Sequence, residues 1–110
     1  MLDEAEENNW ISVCAVDDID AEDVLGFKHG STNYAIYKSP TNEFFATSGI
    51  CTHEHVALSD GLVMDHIIEC PKHNGRFDYR SGKALGAPAC IDLVTYPVRV
   101  LDGKVMLKVS

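Results

Sequence analysis

The chain has 110 residues, 45% of them hydrophobic, and this length suits one domain with a modest core. Its net charge of −8, from 17 acidic and 9 basic residues, argues against broad nucleic-acid binding. No apolar run approaches the ~20 residues of a membrane helix, and the N-terminal MLDEAEENNW lacks the features of a secretory signal. We therefore expect one cytoplasmic domain, residues 1–110, that binds neither nucleic acid nor membrane and has a flexible segment at 1–8.

Short β-strand patterns separated by turn residues run along the chain. The predicted strands are Trp10–Val16, Val24–His29, Tyr34–Lys38, Phe44–Ser48, Gly61–Met64, Ile67–Cys70, Arg76–Tyr79, Val94–Leu101 and Lys104–Val109. Only Asp20–Leu25 has a pattern compatible with a helical turn. Asp102-Gly103 predicts a tight hairpin between the last two strands, because a type I′ turn needs positive φ at both central residues. So many short strands in a small chain predict an all-β sandwich or barrel.

Charge is unevenly distributed along the chain. Nine acidic residues precede the first basic residue, Lys28. The segment 72–83 has the opposite bias, since it carries four basic residues and one acid. Both stretches fit a solvated surface, and both also fit a docking surface with a charge gradient.

Two short segments combine residue types that bind transition metals. They are Cys51-Thr52-His53 and Cys70-Pro71-Lys72-His73, with sixteen residues between them. Each offers one thiolate and one imidazole at the end of a predicted strand, where loops present side chains on a rigid frame. The four candidate ligands are therefore Cys51, His53, Cys70 and His73.

Two cysteines and two histidines can hold a structural zinc ion. Zinc fingers, however, pair cysteine with cysteine and histidine with histidine, whereas each segment here mixes the two types. Mixed segments suit a [2Fe–2S] cluster in which two thiolates bind one iron and two imidazoles bind the other, as in Rieske centres. The pattern favours one such cluster, and a zinc module stays open as an alternative.

These paired motifs resemble those of the Rieske-type ferredoxins, the small carriers of bacterial aromatic ring-hydroxylating dioxygenase systems. The resemblance extends through residues 51–89 and the closing hairpin at 96–109, and it is weakest before Trp10. It implies the Rieske fold, in which three layered antiparallel sheets form a sandwich or incomplete barrel with the cluster-binding loops at one tip. It also implies that the four candidate ligands hold the cluster.

The chain departs from the high-potential Rieske proteins of cytochrome complexes. Val56 and Lys72 stand where those proteins carry a disulfide-bonded cysteine pair. Gly75 and Phe77 stand where they place serine and tyrosine hydroxyls near the cluster sulfurs. Because fewer hydrogen bonds to the sulfurs make reduction harder, we expect a potential at the low end of the Rieske range, about −150 mV.

Several other residues flank the predicted site. Gly49, Gly75 and Gly82 fit either close backbone approach to the cluster or ordinary turn formation. The proline-bearing segment 82–89 resembles the segment that covers the cluster in this family.

The remaining cysteines and histidines are predicted to lie outside the ligand set. Cys14 belongs to a strand pattern and is expected to be a buried core thiol, and Cys90 has no partner at ligand spacing. His29 and His66 are expected at the surface or in turns. His55 is expected to support the site at most, since a further histidine would overfill the coordination.

No serine triad, paired carboxylates or nucleotide-binding glycine motif indicates a catalytic site, so we expect an electron carrier and not an enzyme. The resemblance implies a monomer that takes electrons from a flavin ferredoxin reductase and passes them to a terminal oxygenase. A small Rieske subunit of a nitrite reductase-like complex is the alternative that keeps the cluster.

Overall fold

The computed structural model describes residues 9–52, 55–72, 74–86 and 91–109. Within these ranges eleven strands form three antiparallel sheets. The strands are β1 (Trp10–Ala15), β2 (Asp23–His29), β3 (Thr32–Lys38), β4 (Phe44–Ser48), β5 (Leu62–Met64), β6 (Ile67–Glu69), β7 (Arg76–Asp78), β8 (Lys83–Ala84), β9 (Thr95–Tyr96), β10 (Val98–Leu101) and β11 (Lys104–Lys108). Two 3₁₀ helices, Val16–Asp18 and Leu58–Asp60, are the only helical segments there. No helix among the described residues is long and apolar enough to cross a membrane.

Each predicted strand is present, and no predicted end is shifted by more than two residues. Pro97 divides the predicted Val94–Leu101 into β9 and β10, because proline has no N–H to donate to a sheet. The two-residue β8 was not predicted. The helical turn with which the pattern of Asp20–Leu25 is compatible does not form, since β2 begins at Asp23 and pairs in register with β3.

The three sheets are stacked as layers around two cores. The strand orders are β1-β11-β10, β2-β3-β4-β9 and β5-β6-β7-β8, called here the first, middle and third sheets. β3 is buried on both faces: Tyr34 and Ile36 belong to one core, and Ala35 and Tyr37 belong to the other. The middle sheet therefore lies between the other two, and the predicted three-sheet all-β architecture is confirmed.

An aromatic stack joins the third sheet to the middle sheet. The rings of Tyr37 and Tyr79 are parallel within 3°, with centroids 4.5 Å apart. The Tyr37 hydroxyl lies 2.9 Å from Thr47 Oγ1, and the Tyr79 hydroxyl donates to the carbonyl of Asp65 at 2.6 Å. Burial raises the pKa of Tyr37, and burial raises the pKa of Tyr79 to about 12. Both phenols stay neutral at physiological pH, which fits a structural role in the core beside the candidate site.

The closing hairpin has the predicted turn. Leu101 pairs with Lys104, and both residues between them have positive φ, 51° at Asp102 and 75° at Gly103. This is the backbone conformation that a type I′ turn requires.

Gly82 offers a test of the packing around the third sheet. It has a φ of +80°, and a Cβ there would collide with the carbonyl oxygen of Leu93. Gly30 also has positive φ, +62°, but open space around it. We expect Gly30→Ala to lower the free energy of unfolding by about 1–2 kcal/mol through backbone strain alone. Gly82→Ala should cost clearly more in chemical denaturation of the loaded protein, and an equal cost for both would contradict this packing.

Candidate metal centre

The two motif cysteines lie on separate loops that reach one core. Cys51 follows β4 by three residues, and Cys70 directly follows β6. Their side chains are 0% and 1% exposed, and both belong to the cluster of buried residues between the middle and third sheets. The fold thus brings both predicted thiolates into the same buried region.

The two loops share one backbone design. The amide of Cys51 donates to the carbonyl of Val56 at 2.8 Å, and the amide of Cys70 donates to the carbonyl of Gly75 at 2.7 Å. Each bond therefore spans five positions along the chain. The residue four positions after each cysteine has positive φ, 56° at His55 and 58° at Asn74. Both loops accordingly return by the same kind of turn.

The first loop is closed at its base by its own backbone, next to the middle sheet. Ile50 and Ala57 form an antiparallel bridge, and Leu58 donates its amide to the carbonyl of Gly49 at 2.8 Å. A Cβ at Gly49 would lie 2.9 Å from backbone atoms of β3. Gly49 is therefore needed for close approach to the neighbouring strand, a reason that the sequence did not reveal.

The second loop is the tip of the β6–β7 hairpin. Glu69 and Arg76 are the last cross-strand pair before the loop, and their side chains form an ion pair with Nε and Oε1 2.9 Å apart. Gly75 is buried, and Phe77 is fully buried in the core. The carboxylate–guanidinium contact closes the base of this loop as the backbone bridge closes the first.

A third segment, residues 91–94, is tied to the first loop, to the turn before β8 and to β4. Thr52, between the first cysteine and histidine, donates its hydroxyl to the carbonyl of Ile91 at 2.7 Å. Leu93 donates to Gly82 at 2.7 Å, and Val94 accepts from the amide of Ser48 at 2.8 Å. The stretch that follows the predicted proline-bearing cover is thus anchored beside the first loop.

Three groups of predicted residues fall outside the described ranges. His53 and His73, Pro88 with Cys90, and the acidic segment 1–8 belong to this part of the chain. The structure therefore positions the two thiolate candidates and leaves the two imidazole candidates as predictions.

The other predicted non-ligands are placed by the structure. Cys14 lies at an irregularity in β1 and is only partly buried, less than predicted. Burial and then Asp18 raise the pKa of its thiol, which stays protonated. His29 is exposed at the end of β2, and His66 lies in the turn after β5 with Nδ1 3.1 Å from Asp65 Oδ1. His55 is exposed.

The described residues fit the thiolate half of the predicted cluster site. Two cysteines buried in one core, on loops braced by main-chain hydrogen bonds, can present sulfur ligands with little freedom to move. Val56, which packs against that core, and Lys72, which is exposed, have no thiol and cannot form a disulfide. Gly75 and Phe77 offer no side-chain hydroxyl.

Comparison with known proteins decides the family. The sequence model of the Rieske [2Fe–2S] domain matches residues 9–97. This chain belongs to the Rieske [2Fe–2S] family. A family that carries a [2Fe–2S] cluster favours that cofactor over the zinc alternative.

Similar proteins extend the comparison of this Rieske protein over nearly its whole length. The ferredoxin component of the naphthalene 1,2-dioxygenase/salicylate 5-hydroxylase systems of Ralstonia sp is 44% identical, over 93% of this chain and 97% of that protein. The ferredoxin component of the naphthalene 1,2-dioxygenase system of Pseudomonas putida is 42% identical, over 92% of this chain and 96% of that protein.

Solved structures agree in fold. In a complex of reduced oxygenase and oxidised ferredoxin of carbazole 1,9a-dioxygenase, the matching chain has a TM-score of 0.86 and 31% identity, over 91% of this chain and 93% of that one. The Sphingomonas yanoikuyae B1 ferredoxin has a TM-score of 0.84 and 34% identity, over 91% of this chain and 98% of that ferredoxin.

Thr52 offers a test of how the third segment is held. Thr52→Val removes the hydroxyl that bonds Ile91 and should cost about 1 kcal/mol, while Thr52→Ser keeps the donor. We expect the cluster of Thr52→Val to bleach severalfold faster in an iron chelator, followed by visible absorbance, and Thr52→Ser to behave like the wild type. Equal bleaching in all three proteins would show that this bond does not protect the site.

Proposed function

We propose that this Rieske protein carries single electrons from a flavin ferredoxin reductase to the terminal oxygenase of an aromatic dioxygenase system. One observation carries the proposal: the near full-length similarity to ferredoxin components of such systems, with 44% identity and coverage of 97% of the relative. The match covers 93% of this chain, so the similarity is not confined to the two cysteine–histidine motifs. We further propose that it acts as a monomer in the cytoplasm.

Cys51, Cys70, His53 and His73 hold the cluster in this proposal. The bound cluster supplies one-electron reduction and reoxidation. The chain keeps both sulfur ligands buried and fixes their backbone by the two matched loop bonds, 2.8 and 2.7 Å long. Ligands that move little between redox states keep the reorganisation energy small, which favours fast transfer.

The core behind the second loop sets the electrostatic environment. Phe77 is fully buried and has no hydroxyl, and Gly75 offers only its backbone. Side chains that donate no hydrogen bond stabilise added negative charge less. A potential at the low end of the Rieske range is therefore expected, which suits delivery of electrons to an oxygenase.

The nitrite reductase alternative has weaker support. A small subunit of an NADH-dependent nitrite reductase from Mycobacterium tuberculosis has a TM-score of 0.79 but only 19% identity. Likeness at that level shows the fold alone, so it gives no reason to prefer a permanent subunit over a carrier.

Substitution of the ligands tests the site. Cys51→Ser and Cys70→Ser should each abolish the cluster, because iron–sulfur clusters select soft thiolate ligands and the serine oxygen is a harder, weaker ligand for them. His53→Ala and His73→Ala should do the same. The wild type should contain two irons and two acid-labile sulfides per chain, measured by chemical analysis.

Cys14→Ala and Cys90→Ala are the matched controls and should keep full iron and sulfide content. Loss of the cluster in either control, or its retention in Cys51→Ser, would contradict the assignment. Stoichiometric zinc without labile sulfide in the wild type would contradict the cluster itself.

Direct electron transfer tests the function. The loaded protein, reduced chemically under anaerobic conditions, is mixed with the oxidised terminal oxygenase of the Ralstonia naphthalene 1,2-dioxygenase system in a stopped-flow instrument. We expect reoxidation of the carrier together with matching reduction of the oxygenase. A reduced carrier that stays reduced beside that oxygenase, or that co-purifies as a fixed subunit of another enzyme, would contradict the proposal.

A further inference from the structure

Gly61 packs against the peptide bond that precedes the second motif cysteine. A Cβ at Gly61 would collide with the carbonyl oxygen of Glu69, and it would lie 3.1 Å from the carbonyl oxygen of Leu58. The φ of Gly61 is −87°, a value that any L-residue adopts without strain. Glycine is therefore required here by the close approach of two backbones, and its conformational freedom is not the reason.

The register of the third sheet places Gly61 opposite Cys70. β5 and β6 are antiparallel, and their pairing ends at Leu62 and Glu69. One position further along each strand, Gly61 faces Cys70 at the point where β6 leads into the second loop. Gly61 thus lies across from a proposed ligand of the cluster.

The peptide bond between Glu69 and Cys70 is held from both sides. Its N–H donates to the carbonyl of Gly75 at 2.7 Å, the bond that closes the second loop. Its C=O, which points the opposite way in a trans peptide, is the group that Gly61 approaches. Cys70 is only 1% exposed, so its side chain has no open space in which to compensate for a backbone shift. Movement of this peptide bond would therefore move the sulfur.

Gly61 is also connected to the base of the first loop. Its amide donates to the carbonyl of Leu58 at 2.9 Å, and the amide of Leu58 donates to the carbonyl of Gly49 at 2.8 Å. Leu58 is fully buried in the core that contains Cys51 and Cys70. A short run of backbone contacts thus leads from the base of the first loop, through Gly61, to the backbone of Cys70.

We propose that Gly61 is a positioning residue of the cluster site, which sets the distance between the base of the first loop and the backbone of Cys70. This inference rests on the proposed function, in which Cys70 binds iron, and it adds a residue outside both motifs that determines where that sulfur lies. A methyl group on Gly61 would force the backbones apart, because both oxygens that it meets belong to the main chain and cannot rotate away. Residues that orient metal ligands without touching the metal change how firmly the metal is held.

The test compares Gly61→Ala with Gly82→Ala. A Cβ at either position collides with a main-chain carbonyl oxygen, that of Glu69 or that of Leu93. Gly82 precedes β8, at the end of β7 away from the second loop, and its φ of +80° adds strain that Gly61→Ala does not have. The control therefore disturbs the fold at least as much without touching the peptide bond of Cys70. Both variants and the wild type are loaded and compared by resonance Raman spectroscopy, by bleaching in an iron chelator and by chemical denaturation.

We expect Gly61→Ala to shift the iron–cysteine stretching bands and to lose its cluster to the chelator roughly tenfold faster than the wild type. Gly82→Ala should keep the wild-type bands and bleach more slowly than Gly61→Ala, although its stability to denaturant is lower. These bands report the geometry of the ligand bonds, so a purely structural role for Gly61 would leave them unchanged. Failure of Gly61→Ala to assemble a cluster, with full iron and sulfide in Gly82→Ala, supports the proposal equally.

Other results would overturn the proposal. Wild-type bands in a loaded Gly61→Ala would exclude the positioning role while leaving the proposed function standing. Equal shifts in both variants, or loss of the cluster from both, would assign the effect to a general loss of packing. A wild type without a [2Fe–2S] cluster would remove the ligand assignment of the proposed function and this inference with it.

Discussion

The closure of two loops by equivalent backbone hydrogen bonds is the constraint on which this site depends. Each motif cysteine donates its amide to the carbonyl five positions later, and each loop returns through a residue with positive φ. The two sulfur-bearing residues are thereby fixed within one core although sixteen residues separate the motifs. A cluster held by the four proposed ligands would link these two loops, and cofactor and fold would then stabilise each other.

The layered sheets provide the rigid support for these loops. β3, buried on both faces, supplies the backbone against which Gly49 packs, and the stack of Tyr37 on Tyr79 fixes the third sheet to the middle one. Gly82 and Leu93 connect the third segment to the same framework. Movement of either loop would therefore disturb a packed core, which suits a centre that gains and loses an electron without rearrangement.

The sequence alone predicted the features that depend on residues close together along the chain. Alternating patterns located the strands, and Asp102-Gly103 identified the hairpin turn. The two cysteine–histidine pairs predict the ligand types, and the structure places the two cysteines in one core. Features set by tertiary contacts were missed. β8 is too short to show a pattern, positive φ at His55 carries no glycine signal, and the need for Gly49 arises from a strand distant in sequence. The helical turn that the pattern of Asp20–Leu25 allows does not form, because pairing with β3 outweighs local preference at Asp23–Leu25.

The central claim is that one iron is bound by two imidazoles, from His53 and His73, while Cys51 and Cys70 bind the other. Pulsed EPR on the reduced protein, prepared with ¹⁵N-labelled histidine, measures this directly, because only nitrogen bound to the cluster couples strongly to its unpaired electron. The account predicts strong coupling to two histidine nitrogens in the wild type. Absence of strong coupling to labelled histidine would show a cluster held by thiolates alone and would contradict the account.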